Sequence, residues 1–142
     1  MKKAAVLFVL AVLVIAGADA QVAVLAEQYR EQEAAILAID SHYDTSPEEL
    51  SAYAASRTLP FPVLKDAGNR YADRVGAKRT PEVFLVDGEG HLVHHGASDN
   101  RRFPGSPGSR PYTAEALSAL LHGKPVPVQE ARAWGCTTKR AA

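Results

Sequence analysis

Cysteine is nearly absent from this chain. Its 142 residues include one cysteine, Cys136, close to the C-terminus. A single cysteine cannot form an internal disulfide, a C-x-x-C redox pair or a cysteine-rich metal site. Those three kinds of site are therefore excluded within one chain.

An excess of charge of either sign is also lacking. The chain has 16 basic and 16 acidic side chains, so its formal net charge is zero. Proteins that bind nucleic acid or acidic lipid usually present a basic surface. We therefore expect no nucleic-acid partner. The length and the 46% hydrophobic content are typical of one globular domain.

The first twenty residues differ from the rest. Lys2 and Lys3 precede fifteen uncharged, mostly apolar residues, and Ala18 and Ala20 flank a site suited to cleavage after Ala20. These are the three parts of a secretory signal peptide. The apolar run is shorter than the roughly 20 residues of a membrane span. We predict export to the periplasm or the extracellular space without stable membrane insertion, or membrane anchoring if residues 1–20 are not cleaved.

The remaining chain alternates between predicted helices and strands. Residues 34–40, AAILAID, are a continuous apolar run typical of a buried strand. Ser46, Pro47 and Glu49 form a strong helix start. The predicted elements are helix 22–32, strand 34–40, a helix from Ser46, an extended piece 59–66, a helix from Asp66 to Gly76, strand 82–87, strand 91–95 and a last helix that Thr113 caps and Gly123 ends. This order predicts an α/β fold with an antiparallel hairpin at one edge.

The end of the chain shows less regular patterning. Residues 100–112 are rich in proline and glycine, which is typical of a loop. Residues 124–142 lack periodicity and are expected on the surface or trailing off. The sequence thus predicts a signal peptide at 1–20, one domain at 21–123 and a C-terminal tail at 124–142.

Several segments together resemble the thioredoxin-like superfamily, specifically exported redoxins of the thioredoxin and AhpC/TSA type. The resemblance covers residues 22–139. It is carried by LAEQYREQ, AILAID, FPVLKDAGNRYADRVGA, RTPEVFLVDGEGHLVHHG and LLHGKPVPVQEARAWGC. It implies a central mixed sheet flanked by helices. It also implies a cis bond at Thr80-Pro81 beside the redox loop, where Thr80 and Pro81 would bind an extended substrate peptide.

The same resemblance implies where the reactive cysteine should lie. It belongs shortly before the first long helix, within residues 10–20, which contain no cysteine, serine or threonine. No catalytic residue can be assigned there. The family's first strand would also fall within residues 4–15. Three alternatives follow: cleavage leaves a domain without this strand, residues 4–15 form it, or the chain is a truncated or recombined copy.

Cys136 is the only candidate thiol. As a functional residue it would be a redox thiol, or would link two chains through a disulfide. Reactive thiols need a nearby cation, and Lys139 and Arg140 are close in sequence. The alternative is a leftover thiol without a role.

Other polar residues have simpler interpretations. His91 and His95 fall on one face of a strand and His94 on the other, with no acidic residue expected to complete a metal site. We therefore predict no metal site, and nothing implies a cofactor. Structural or solvent-exposed roles are expected for His42, Asp40, Asp44, Asp66, Arg101, Arg102 and Arg110.

The resemblance thus implies thiol–disulfide exchange or peroxide reduction, with a thiol- or disulfide-containing protein or peptide as partner. Because residues 10–20 lack a nucleophile, we expect impaired or absent activity. The alternative is a non-catalytic module that binds extended peptides beside Pro81.

Overall fold

The computed structural model describes residues 5–10, 18–103, 105–138 and 140. Within these residues, helices pack on both faces of a six-stranded mixed sheet, and a second, two-stranded sheet lies apart from it. The strands are β1 (Ala5–Leu10), β2 (Ala34–Asp40), β3 (Val63–Lys65), β4 (Arg79–Thr80), β5 (Glu82–Val86), β6 (Leu92–Gly96), β7 (Glu130–Ala131) and β8 (Cys136–Thr137). The helices are α1 (Ala18–Gln28), α2 (Pro47–Arg57), α3 (Arg70–Val75) and α4 (Tyr112–Leu121).

The large sheet has the strand order β3-β2-β1-β5-β6-β7. β1 pairs in parallel with β2 and antiparallel with β5, so it occupies the centre of the sheet. Of the three alternatives, this pairing agrees with the one in which residues 4–15 form the first strand. A central parallel strand needs partners on both sides, and the apolar sequence of residues 5–10 suits that position.

The prediction of a cleaved signal peptide concerns the same segment. Residues 1–4 and 11–17 lie outside the described residues. Among the helices that the structure describes, none is long and apolar enough to cross a membrane. Cleavage after Ala20 and the limits of the three predicted segments stay predictions.

Two apolar clusters pack against opposite faces of the sheet. Strand alternation sends Val83 and Leu85 of β5 to one face and Phe84 to the other. The first cluster joins β2 and β5 to α1 and α4. Its residues are Val22, Leu25, Tyr29, Ile36, Ala38, Phe61, Val83, Leu85, Ala116, Leu117 and Leu120. The second joins them to α3 through Ile39, Ala72, Ala77 and Phe84. Burial on both faces explains the continuous apolar runs of the strands.

The helix starts agree only in part with the sequence signals. Ser46 caps α2 as predicted, because its hydroxyl accepts a hydrogen bond from the Glu49 amide while the Glu49 carboxylate accepts one from the Ser46 amide. Thr113, in contrast, is not a cap. α4 begins at Tyr112, with Pro111 at the N-cap position two residues before Thr113, and Thr113 is buried inside the helix. The buried apolar face of α4 sets its start, in place of a side-chain cap.

The hairpin strand and the tail depart from expectation. β6 is not an edge strand, because it pairs with β5 on one side and with β7 on the other. The C-terminal segment was expected to lie on the surface or trail off, yet it forms β7 and β8 and buries Trp134. Gly96 permits this pairing, since a Cβ there would lie 1.7 Å from the Ala131 carbonyl oxygen. Hydrophobic periodicity does not indicate such strands, because each has only two residues.

Candidate functional site

Thr80 and Pro81 join β4 to β5. The peptide bond between them is cis, and both side chains are buried. α3 ends at Gly76, whose left-handed conformation turns the chain toward β4. Pro81 lies between two strands, where its missing N–H removes no hydrogen bond from the sheet. This placement explains a proline at the start of a buried strand.

The carboxylate of Glu82 holds the segment before the proline. It accepts hydrogen bonds from the backbone amides of Lys78 at 2.7 Å and Arg79 at 3.0 Å. The same side chain contacts Nε2 of His95 at 2.6 Å and is 5% exposed. The His95 ring stacks on Phe84, with 4.6 Å between the ring centroids. A buried carboxylate with several donors is a strong clamp on local backbone geometry.

β8 pairs antiparallel with β4 at this point. Thr80 is the register partner of Cys136, and Arg79 is the partner of Thr137. The Thr138 amide donates to the Lys78 carbonyl at 3.1 Å, and the Thr138 hydroxyl donates to the Arg79 carbonyl at 3.3 Å. The hydrogen-bonding edge of β4 is therefore occupied by the chain's own C-terminal segment.

Gly135 allows this close approach. A Cβ at this position would lie 2.1 Å from the Thr80 carbonyl oxygen, and the Gly135 backbone has a φ of +112°. Glycine alone combines that conformation with that distance at little cost. The expected open surface beside Pro81 is thus covered in this structure, so an external peptide has to displace β8 to pair with β4.

Cys136 lies on β8, and its side chain is exposed. Of the two cations suggested by sequence, one lies within the described residues. Lys139 lies outside the described residues, while Arg140 donates to Asp73 at 2.7 Å and to the Ala77 carbonyl. The expected redox loop falls mainly on residues 11–17, which also lie outside the described residues, and α1 begins at Ala18.

A polar cluster next to this edge was missed from the sequence. The indole Nε1 of Trp134 donates to Asp99 at 3.1 Å. Nη2 of Arg101 lies 2.7 Å from the same carboxylate, and the Arg101 guanidinium stacks on the Trp134 ring at 4.4 Å. Gln21 donates to Asp99 at 3.2 Å. The cluster ties α1, the loop after β6 and the C-terminal segment together.

Asp99 is charged within this cluster. Burial by itself raises the pKa of this carboxyl, but the hydrogen bonds from Arg101 and Gln21 and the Arg101 charge outweigh burial. The net result is an Asp99 pKa below its usual value. The lone tryptophan of the chain, in a tail without periodicity, was the signal that could have indicated a docked segment.

A cavity of about 550 Å³ opens beside the cluster. Trp134 and Gly135 form part of its wall, so the cavity adjoins the β4–β8 pair. Its charged lining residues are Arg79, Arg101, Arg102, Arg132, Asp99 and Glu130. Arg101 and Arg102 were expected to be solvent-exposed loop residues, but Arg101 is largely buried, with 14% of its side chain exposed. Arg110 instead pairs with Glu115 at 3.0 Å.

The histidines lie in separate places. His94 was expected on an edge strand but is fully buried, and its ring contacts the carbonyls of Val128 at 2.7 Å and Ala97 at 3.2 Å. His42 lies beside Asp44. His91 precedes β6 and so does not share a strand face with His95. These contacts give each ring a structural partner.

Two acidic residues do lie close to His91, contrary to the sequence-based expectation. One ligand atom each from Asp87, Glu89 and His91 lies within 4.8 Å of the others. Asp87 already accepts hydrogen bonds from the amides of Glu89 and His91, both at 2.9 Å. This geometry is that of a turn stabilised by an aspartate. The cluster is explained by the hairpin connection.

Asp66 has a structural role, as expected. Its carboxylate accepts from the amides of Tyr71 at 2.8 Å and Ala72 at 2.9 Å, and from the Ser41 hydroxyl at 2.8 Å. Burial by itself raises the pKa of Asp66. The hydrogen bonds and the Lys65 charge lower it by more, so the pKa of Asp66 lies below its usual value. Asp40, at the end of β2, contacts Lys65 at 3.3 Å.

Comparison with solved structures defines the class of fold. A hypothetical protein from Sinorhizobium meliloti has a TM-score of 0.86 and 31% identity, over 97% of this chain and 80% of that one. An uncharacterized conserved protein from Geobacillus kaustophilus has a TM-score of 0.86 and 28% identity, over 97% and 78%. A thiol-disulfide isomerase from Corynebacterium glutamicum has a TM-score of 0.64 and 15% identity, over 89% and 82%. The fold is thioredoxin-like.

The family follows from a second comparison. The model of the AhpC/TSA family matches residues 2–95, which is more than half of the chain. The chain therefore belongs to the AhpC/TSA family, as the resemblance predicted. Among curated proteins, no sequence matches it. The matched range includes β1 and extends through Thr80, Pro81 and β5.

Proposed function

We propose that this redoxin does not turn over peroxides or disulfides by itself, and that its thiol chemistry is one-step exchange at Cys136. The supporting observation is the position of this cysteine, exposed and directly opposite Thr80 beside Pro81. The sequence supports the first half of the proposal, since residues 10–20 contain no cysteine, serine or threonine. A lone thiol forms a mixed disulfide but has no second cysteine to resolve it.

The exchange step is simple. The Cys136 thiol gives its proton to solvent, and the thiolate attacks one sulfur of a disulfide in a protein or peptide partner. A new bond forms between the Cys136 sulfur and that sulfur, while the other sulfur leaves as a thiolate. Cys136 is oxidised and the leaving sulfur is reduced, so no further reactant is needed.

The test measures turnover and adduct formation separately. Purified wild-type and Cys136→Ala proteins are compared in peroxide reduction and in reduction of insulin disulfides. We expect no turnover above background in either, and a stoichiometric mass adduct with a small disulfide in the wild type alone. Robust turnover in both proteins would contradict the assignment of all thiol chemistry to Cys136.

A second candidate is a non-catalytic module that binds extended peptides at Thr80 and Pro81. It is favoured by the pairing of β4 with an extended segment of the chain itself. A peptide with the sequence of residues 132–140 is the natural probe, in competition with β8. Binding should saturate, survive Cys136→Ala and weaken on Pro81→Ala. Indifference to Pro81 would remove this candidate.

Export remains part of the proposal because residues 1–20 have the three parts of a signal peptide. Cleavage after Ala20 would also remove β1 and expose the inner edges of β2 and β5. The intact mass of the protein from its native host decides between the two outcomes. A mass of 15.2 kDa means that β1 is retained, and a mass lower by that of residues 1–20 means that it is removed.

A further inference from the structure

The cavity beside the β4–β8 pair has the features of a binding site for an anion. Four of its lining residues are arginines, and two are acidic. One of those acids, Asp99, is already paired with Arg101 and bonded to Trp134. Among the residues that the structure describes, the lining therefore has more basic than acidic side chains.

Part of the cavity wall is buried and held by several contacts. Asp99 is 6% exposed and Trp134 is 5% exposed. Arg101 is held on three sides, by the Asp99 carboxylate, by the Trp134 ring and by the Gln21 side-chain oxygen, which accepts from Nη2 of Arg101 at 3.0 Å. A guanidinium fixed in this way loses little conformational entropy when it binds a ligand.

The rim of the cavity has unused donors. Within the part of the chain that the structure describes, the side chains of Arg102 and Arg132 have no ion-pair partner. Nη1 of Arg79 donates a long hydrogen bond of 3.4 Å to the Gly135 carbonyl. Guanidinium groups bind carboxylates with two parallel hydrogen bonds. The volume of about 550 Å³ is in the usual range for a small-molecule site.

We propose that this cavity binds carboxylate groups and thereby selects acidic disulfides as partners of Cys136. Gly135 lines the cavity and Cys136 is the next residue of the chain, so the cavity adjoins the segment that carries the reactive cysteine. The binding of a carboxylate in the cavity does not depend on thiol chemistry. The selection of a partner rests on the proposed function.

The first experiment measures carboxylate binding without the thiol. Trp134 is the only tryptophan of the chain and lines the cavity, so its fluorescence can follow binding there. Cys136→Ala protein is titrated with succinate against sodium chloride of equal ionic strength. We expect a saturable change with succinate, and about tenfold weaker affinity when Arg102→Gln and Arg132→Gln are added together.

Arg30→Gln is the matched control, because Arg30 is 69% exposed, pairs only with Glu27 and Glu31 in the described residues, and does not line the cavity. It should leave the succinate affinity unchanged. Equal responses to succinate and chloride would overturn the carboxylate site. Equal weakening by Arg30→Gln and by the two rim substitutions would overturn it as well.

The second experiment measures partner selection. The rate of adduct formation at Cys136 is compared for 5,5′-dithiobis(2-nitrobenzoate), which carries two carboxylates, and for neutral 4,4′-dithiodipyridine. The ratio of the two rates cancels any general change in thiol reactivity. It should fall about fivefold in the Arg102→Gln/Arg132→Gln protein and not in Arg30→Gln.

The outcomes separate the two proposals. An unchanged ratio in the double variant overturns selection by the cavity while leaving exchange at Cys136 intact. Failure of Cys136 to react with either disulfide overturns the proposed function and partner selection together. The succinate titration still decides the carboxylate site in that case.

Discussion

Cys136 is the direct register partner of Thr80, the residue whose bond to Pro81 is cis. The C-terminal segment thus covers the edge of β4 at which an extended partner could pair beside the proline. This contact links the only thiol of the chain to the cis bond, which lies within the residues that match the family. It also makes the stability of a two-residue strand relevant to function.

Substitution of Gly135 by alanine should detach β8 from β4. The added Cβ would lie 2.1 Å from the Thr80 carbonyl oxygen, on a backbone with a φ of +112°. We expect loss of amide hydrogen-exchange protection at Thr138, whose N–H donates to the Lys78 carbonyl. The binding of a peptide with the sequence of residues 132–140 should become tighter than in the wild type.

Gly90→Ala is the control for Gly135→Ala. Gly90 also has a positive φ, +89°, but nothing lies within 4 Å of a Cβ there. It therefore reports the conformational strain without the clash. If both variants keep the protection of Thr138, then the pairing of β8 with β4 does not depend on the close approach at Gly135.

Glu82→Gln should destabilise the domain by about 2 kcal/mol, since the buried carboxylate loses charge-assisted bonds to two amides and to His95. The free energy of unfolding from urea denaturation checks this value. Glu89→Gln is the matched control, because the Glu89 side chain is 79% exposed. A loss at Glu82 no larger than that at Glu89 would show that the clamp contributes little.

The lowered pKa of Asp66 predicts how stability changes in acid. Because the folded-state pKa lies below the unfolded value, the unfolded chain binds more protons as the pH falls between the two. The contribution of Asp66 is therefore present at neutral pH and is lost below about pH 4. Asp66→Asn should lower the stability at pH 7 and flatten its acid dependence, as measured by urea denaturation at pH 7 and pH 3. A parallel acid dependence in both proteins would contradict this assignment.

Cys136 should also link two chains under oxidising conditions. Two Cys136 thiols give one disulfide and two protons, and diamide accepts the two electrons. We expect a reductant-sensitive dimer on a non-reducing gel for the wild type, because the side chain is exposed. Cys136→Ala should remain monomeric on the same gel. Failure of the wild type to dimerise would mean that the sulfur is less accessible than its surface exposure indicates.

The sequence by itself determined most of the regular elements. AAILAID at 34–40 is β2, and the Ser46 capping box starts α2, because these signals depend on neighbouring residues alone. The family also followed from short segments, above all the helix, Gly76, Thr80-Pro81 and strand in that order. Local signals of this kind predict the structure correctly when they agree with the packing of the core.

Tertiary structure decided the rest. Composition predicts a signal peptide at residues 1–20. The pairing of residues 5–10 with β2 and β5 places these residues at the centre of the sheet. A buried strand and a signal sequence are both apolar, so composition does not separate them. The docking of β8 on β4 depends on contacts between residues more than 50 positions apart, such as Thr80 and Cys136. The arginine-lined cavity likewise exists because folding brings Arg79, Arg101 and Arg132 to one place, and their sequence positions carry no sign of it.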